Sequence, residues 1–87
     1  MNLAELNKKL KESNVPERWY SIDEGLKPDA CILYKNYSIW EFFYLDEKGD
    51  RHDHKLFKSE EEAFDHLWKK MDYQLRIFGI QPDKDTL

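Results

Sequence analysis

The sequence predicts an α+β fold: an N-terminal helix, an antiparallel sheet of three to four strands, and a long C-terminal helix packed on the sheet (α-β-β-β-β-α). Three observations carry this expectation. Apolar residues recur at three- and four-residue steps near both ends of the chain, as on a half-buried helix. Between them lie short apolar runs broken by Asp, Asn, Gly and Pro, the pattern of strands and turns. Finally, 87 residues suffice for one small core and no more.

The first helix opens at Asn2, which forms a capping box with Glu5. Leu3, Leu6 and Leu10 share a stripe, Asn14 suits the left-handed position beyond a helix, and Pro16 forbids continuation, so the helix ends near Ser13. Trp19–Ile22 reads as a short strand closed by Asp23-Glu24-Gly25 and Pro28-Asp29. Ala30–Tyr34 is a compact apolar strand, and Lys35–Ser38 turns the chain. Ile39–Leu45 is the strongest strand, with Trp40, Phe42 and Tyr44 on one face and Ile39, Phe43 and Leu45 on the other. Glu41 is its lone polar residue. Asp46–Asp50 supplies a hairpin with Gly49 placed for positive φ, and Arg51–Phe57 returns as a polar strand near the edge. Short connections favour antiparallel neighbours throughout. Ser59 and Glu62 form a second capping box. Phe64, Leu67, Trp68, Met71, Leu75 and Phe78 then make a helical stripe, with Gly79 as its left-handed cap and Ile80 packing back on Leu75. Residues 1–80 are therefore expected to form one domain, and residues 81–87 a polar tail.

Composition narrows the function. A TIM barrel needs about 250 residues, so large catalytic architectures are excluded. One cysteine, Cys31, rules out an internal disulfide scaffold. The N-terminus lacks the basic and apolar regions of a signal peptide, and Ile39–Leu45 is far short of a membrane span, so a cytoplasmic protein without membrane contact is expected. Charge is uneven: residues 21–65 hold six basic and twelve acidic side chains, net −6, while the flanking segments are each net +1. Such a field repels phosphate backbones and attracts a basic protein surface. Nucleic-acid binding is therefore not expected.

Candidate chemistry is sparse. His52 and His54 flank Asp53, and on a regular strand both imidazoles would share a face. A zinc site nevertheless wants three or four ligands, Cys31 lies in an apolar run, and His66 has no His at helical spacing. Ser21, Ser38 and Ser59 occupy turn or cap positions, and three glycines make no phosphate loop. The expectation is no metal, no cofactor and no catalysis. What remains is recognition: Trp19, Tyr20 and Tyr37 as anchors, with Asp23, Glu24, Asp46, Glu47 and Asp50 around them.

The segments Tyr20-Ser21-Ile22-Asp23-Glu24-Gly25, Trp40-Glu41-Phe42-Phe43-Tyr44, Glu47-Lys48-Gly49 and Phe57-Lys58-Ser59-Glu60-Glu61-Glu62-Ala63 resemble a group of small bacterial immunity proteins. These accompany polymorphic or contact-dependent growth inhibition toxins and protect the producing cell. The likeness covers about residues 20–67. The chain departs from the group's pattern at Lys48, where Arg is usual, at Asp23-Glu24, where smaller residues stand, and at Phe64, where Cys is frequent. The resemblance implies a cognate toxin domain as partner, neutralised by occlusion of its active site, with no catalytic residue or cofactor. A basic, nuclease-like toxin fits the charge. A small adaptor that docks on an enzyme other than a toxin is the alternative. Oligomeric state is left open by the sequence.

Overall fold

The computed structural model describes residues 1–80, and the expected tail at 81–87 lies outside them. The order is α1 (Leu3–Glu12), a single 3-10 turn (Glu17–Trp19), β1 (Tyr20–Ile22), β2 (Ala30–Asn36), β3 (Ile39–Leu45), β4 (Arg51–Phe57) and α2 (Glu60–Ile80). It is an α+β arrangement in the expected order. Both helices pack on one face of a sheet with strand order β1-β2-β3-β4.

Local chemistry explains the helix ends. Asn2 Oδ1 accepts from Glu5 N and Glu5 Oε1 accepts from Asn2 N, closing the first capping box. Ser13 caps the other end and Asn14 takes φ 59°, as expected. Leu6 and Leu10 are buried, whereas Leu3 at the helix start is exposed. At α2 the expected capping box forms only in half: Ser59 Oγ accepts from Glu62 N, but the Glu62 carboxylate accepts from the Ser59 hydroxyl instead of its backbone N–H, while Glu60 and Glu61 favour the positive helix end. The helix runs through Gly79 to Ile80, so Gly79 is not the expected cap. The packing expected of Ile80 on Leu75 lies outside the described side chains.

The sheet is mixed rather than wholly antiparallel. β1 runs parallel to β2, with Tyr20 opposite Cys31 and Ile22 opposite Leu33. Residues 23–29 carry the chain back without a helix, which is short for a parallel crossover. Three contacts fasten it. Ser21 Oγ donates to the Gly25 carbonyl at 2.6 Å, and Lys27 Nζ donates to the carbonyls of Glu17 and Tyr20 at 3.0 and 2.9 Å. Trp19, expected in the strand, belongs instead to the preceding 3-10 turn.

β2 and β3 pair antiparallel over all seven residues, from Ala30 opposite Leu45 to Asn36 opposite Ile39, so the turn shrinks to Tyr37-Ser38. Cys31, Leu33, Trp40 and Phe42 face the helices, meeting Leu6, Leu10, Phe64, Leu67 and Met71 in the main core. Fully burying a Leu or Phe side chain stabilises by about 1.5–3 kcal/mol, so this cluster dominates the fold. Ala30, Ile32, Phe43 and Leu45 form a second cluster on the opposite face. β4 pairs with β3 at the edge, but its register shifts between Phe42 and Tyr44, where Asp53 takes φ 57°. This bulge overturns the expected His-x-His face. His52 pairs with Tyr44 on the helix side, whereas His54 stacks on Phe43 on the other side.

Candidate functional site

Two surfaces merit weighing, one under α2 and one on the sheet face that no helix covers among the described residues. Under the C-terminal half of α2, a cleft of about 280 Å³ has Cys31 and Phe42 in its sheet wall and Tyr73, Ile77 and Phe78 in its helix wall. An adjoining cleft of about 370 Å³ shares Tyr44, Gln74 and Phe78 with it and reaches Trp19 and Asp29. The polar groups here serve one another. Asp29 accepts from the Tyr44 hydroxyl at 3.1 Å, and Asp53 accepts from Lys70 at 2.6 Å, which holds its carboxyl below the ordinary range. Burial pushes the Cys31 thiol up to about 11, so it stays protonated and unreactive at neutral pH. Among the described residues no cluster of three or more His, Cys, Asp or Glu is placed to hold a metal, and no helix is long and apolar enough to cross a membrane.

On the uncovered face, Phe43 is fully buried by side chains alone. The Arg51 guanidinium lies 4.5 Å above its ring, His54 stacks beside it at 6.3 Å, and Tyr34 meets it edge-on at 6.1 Å. Glu41 ties this cover together. Its carboxylate accepts from Asn36 Nδ2 and lies 2.9 Å from His54 Nε2, and an ionised carboxylate is acceptor-only, so His54 donates. Hydrogen bonds from Asn36, His54 and Tyr34 hold the Glu41 carboxyl at about 2. Exposed Leu26 and Leu56 flank the cluster, and a hollow of about 250 Å³ opens between Leu26, Ile32, Tyr34 and Arg51. Tyr34 and Arg51, both held against the Phe43 ring, are of residue types enriched in protein-binding hot spots.

The eight residues singled out from sequence do not converge. Trp19 packs against Phe78, with ring centroids 5.1 Å apart, and Tyr20 joins the main core while Lys27 sits over its ring. Asp46 belongs to its own turn: Oδ1 accepts from Lys48 N and Asp50 N, and Oδ2 lies 2.8 Å from His52 Nε2. Glu47 and Asp50 are exposed in that same turn. Asp23 stands at the opposite end of the sheet, where it accepts from Lys35 N, and Glu24 lies along the β1 edge beside Tyr20 and Lys11. Tyr37 caps the β2–β3 hairpin at 95% exposure. The strands between the two turns hold seven residues, so at about 3.3 Å per residue the two groups stand roughly 20 Å apart.

Reading the sequence alone missed Tyr34, Glu41, Arg51 and His54 as a unit. One signal was present: a carboxylate inside an otherwise apolar strand needs hydrogen-bond partners, and Glu41 has them. Comparison of the chain with protein-family models, curated proteins and solved structures finds no match.

Proposed function

We propose that this protein is an immunity protein: a non-catalytic, cytoplasmic antitoxin that binds a cognate bacterial toxin domain and occludes its active site. The observation that carries the binding role is the uncovered sheet face, where the side chains around Phe43 and Glu41 are pre-set by hydrogen bonds and stacking. Such an arrangement lowers the entropy lost when a partner docks. The toxin as partner is supported by the motif resemblance across residues 20–67. The excess of carboxylates in residues 21–65 supports a basic partner, with encounter accelerated at low salt.

The decisive experiment is co-expression with the C-terminal domain of the protein encoded by the adjacent gene. Restored growth and a stoichiometric complex on purification are expected, with association slowing as salt rises. Persistent growth arrest with no co-purifying complex would overturn the reading.

A further inference from the structure

We infer that Tyr37 is the side chain this protein inserts into its partner, the β2–β3 tip entering a pocket on the toxin domain; this rests on the immunity reading above. The matching pocket has apolar walls for a phenol ring, a polar group for its hydroxyl, and a basic rim.

The fold makes no use of Tyr37. Its side chain is 95% exposed and takes no part in either core cluster. Its backbone is in the left-handed region at φ 59°, in a two-residue turn between the paired Asn36 and Ile39. Ser38 is not among the positive-φ residues, so only the first turn position is left-handed, a place where hairpins ordinarily carry glycine. Among the described residues, the other non-glycine positions with positive φ are Asn14, Asp23, Asp29 and Asp53, residue types that tolerate this region. Each has a local role: Asn14 follows the α1 cap, Asp23 and Asp29 accept hydrogen bonds, and Asp53 makes the bulge and binds Lys70. Among the described residues Tyr37 alone combines a bulky side chain, an unfavourable conformation and no contact that repays it. Strain kept without structural benefit points to binding.

The tip is also well presented. Seven consecutive residue pairs stiffen the ribbon beneath it, and the Asn36–Glu41 hydrogen bond fixes its base. A tyrosine has few rotatable bonds to immobilise, which suits it as an anchor. Asp23 and the Glu60-Glu61-Glu62 run stand at the same end of the sheet, outnumbering Lys35, Lys58 and the amino terminus, which argues for the basic rim.

Titration calorimetry against a catalytically inactivated form of the toxin domain, paired with thermal melts, tests this. Tyr37→Gly is expected to weaken binding at least about tenfold, and about 30-fold for an ordinary hot spot, while its Tm equals or exceeds that of the parent chain. Tyr37→Phe keeps the ring and is expected to stay within about tenfold. A Tyr37→Gly affinity loss under about tenfold overturns the inference, as does a fall in Tm, which assigns Tyr37 to the fold. Failure of the parent chain to bind removes the immunity reading and this inference together. Binding by the parent with unchanged Tyr37→Gly affinity removes this inference alone.

Discussion

The two faces of the sheet bury similar residues by different means. On the helix side, Leu33, Trp40 and Phe42 are covered by the apolar stripes of α1 and α2, and the Trp40 and Phe64 rings meet edge-on at 5.1 Å. On the other side, Phe43 and Ile32 are covered by side chains whose far ends are polar or charged: Tyr34, Arg51 and His54. Long amphipathic side chains can shield an apolar ring while keeping their heads in water. One face is finished as a core, and the other as a core with a polar skin. The second can meet a partner without first exposing apolar surface.

The largest expected effect tests that difference directly. Phe42→Ala empties a site walled by two helices and should destabilise by about 3–5 kcal/mol, a large fraction of a small domain's stability. Phe43→Ala removes the same ring, but its cover faces solvent and water can enter the space left behind, so a loss at the low end of that range, about 3 kcal/mol, is expected. Urea midpoints of the two variants measure the gap. Equal losses would mean that the uncovered face is packed as rigidly as the other.

Glu41 comes next. Glu41→Ala leaves Asn36 and His54 without their acceptor and should cost about 1–2 kcal/mol at neutral pH. Its pH dependence has a definite sign. The carboxyl falls from an ordinary 4.5 to about 2 in the folded chain, so the unfolded chain takes up the proton first. This share of stability is present above pH 4.5 and is lost as pH falls toward 2. Replacing Glu41 by Gln should flatten the stability profile in that window alone. An unchanged slope would show that the cover of Phe43 does not depend on this carboxylate.

These contrasts also mark what could be read from the sequence. Helix starts were legible because side-chain caps are local, a full capping box at Asn2 and a Ser59 cap at α2, and the two faces of β3 followed from alternation at Trp40, Phe42 and Tyr44 against Phe43 and Leu45. The parallel β1–β2 pairing was not, because side-chain and backbone contacts from Ser21 and Lys27 stabilise a crossover that length alone disfavours. Nor was the split of His52 from His54, since a bulge is a tertiary event that alternation cannot register. At the site, exposure decides. Tyr20 and Tyr37 look alike in sequence, yet one lies against the core with Lys27 over its ring and the other touches nothing that holds the fold.

The smallest expected effect returns to the helix face. His66 on α2 meets Phe42 edge-on at 4.5 Å and Phe57 at 5.1 Å, and its Nε2 is buried with no hydrogen-bond partner among the described residues. Burial, followed by the nearby Lys70 and Lys55 charges, lowers its pKa below 6.5, with Asp53 opposing. Because the unfolded imidazole protonates more readily, stability declines as pH drops below 6.5, until the folded group also takes up its proton. His66→Leu removes both the orphaned nitrogen and this decline. At neutral pH the variant should match or exceed the parent by up to about 1 kcal/mol, and the advantage should widen as pH falls from 7 to 5.5. That window lies above the acid range in which Glu41 loses its charge together with the lowered Asp46 and Asp53 carboxyls, so the His66→Leu and Glu41→Gln differences, each taken against the parent, should fall in separate pH ranges. A single acid transition, insensitive to His66→Leu, would mean that the imidazole finds water in solution and that the helix face is less dry than its packing implies.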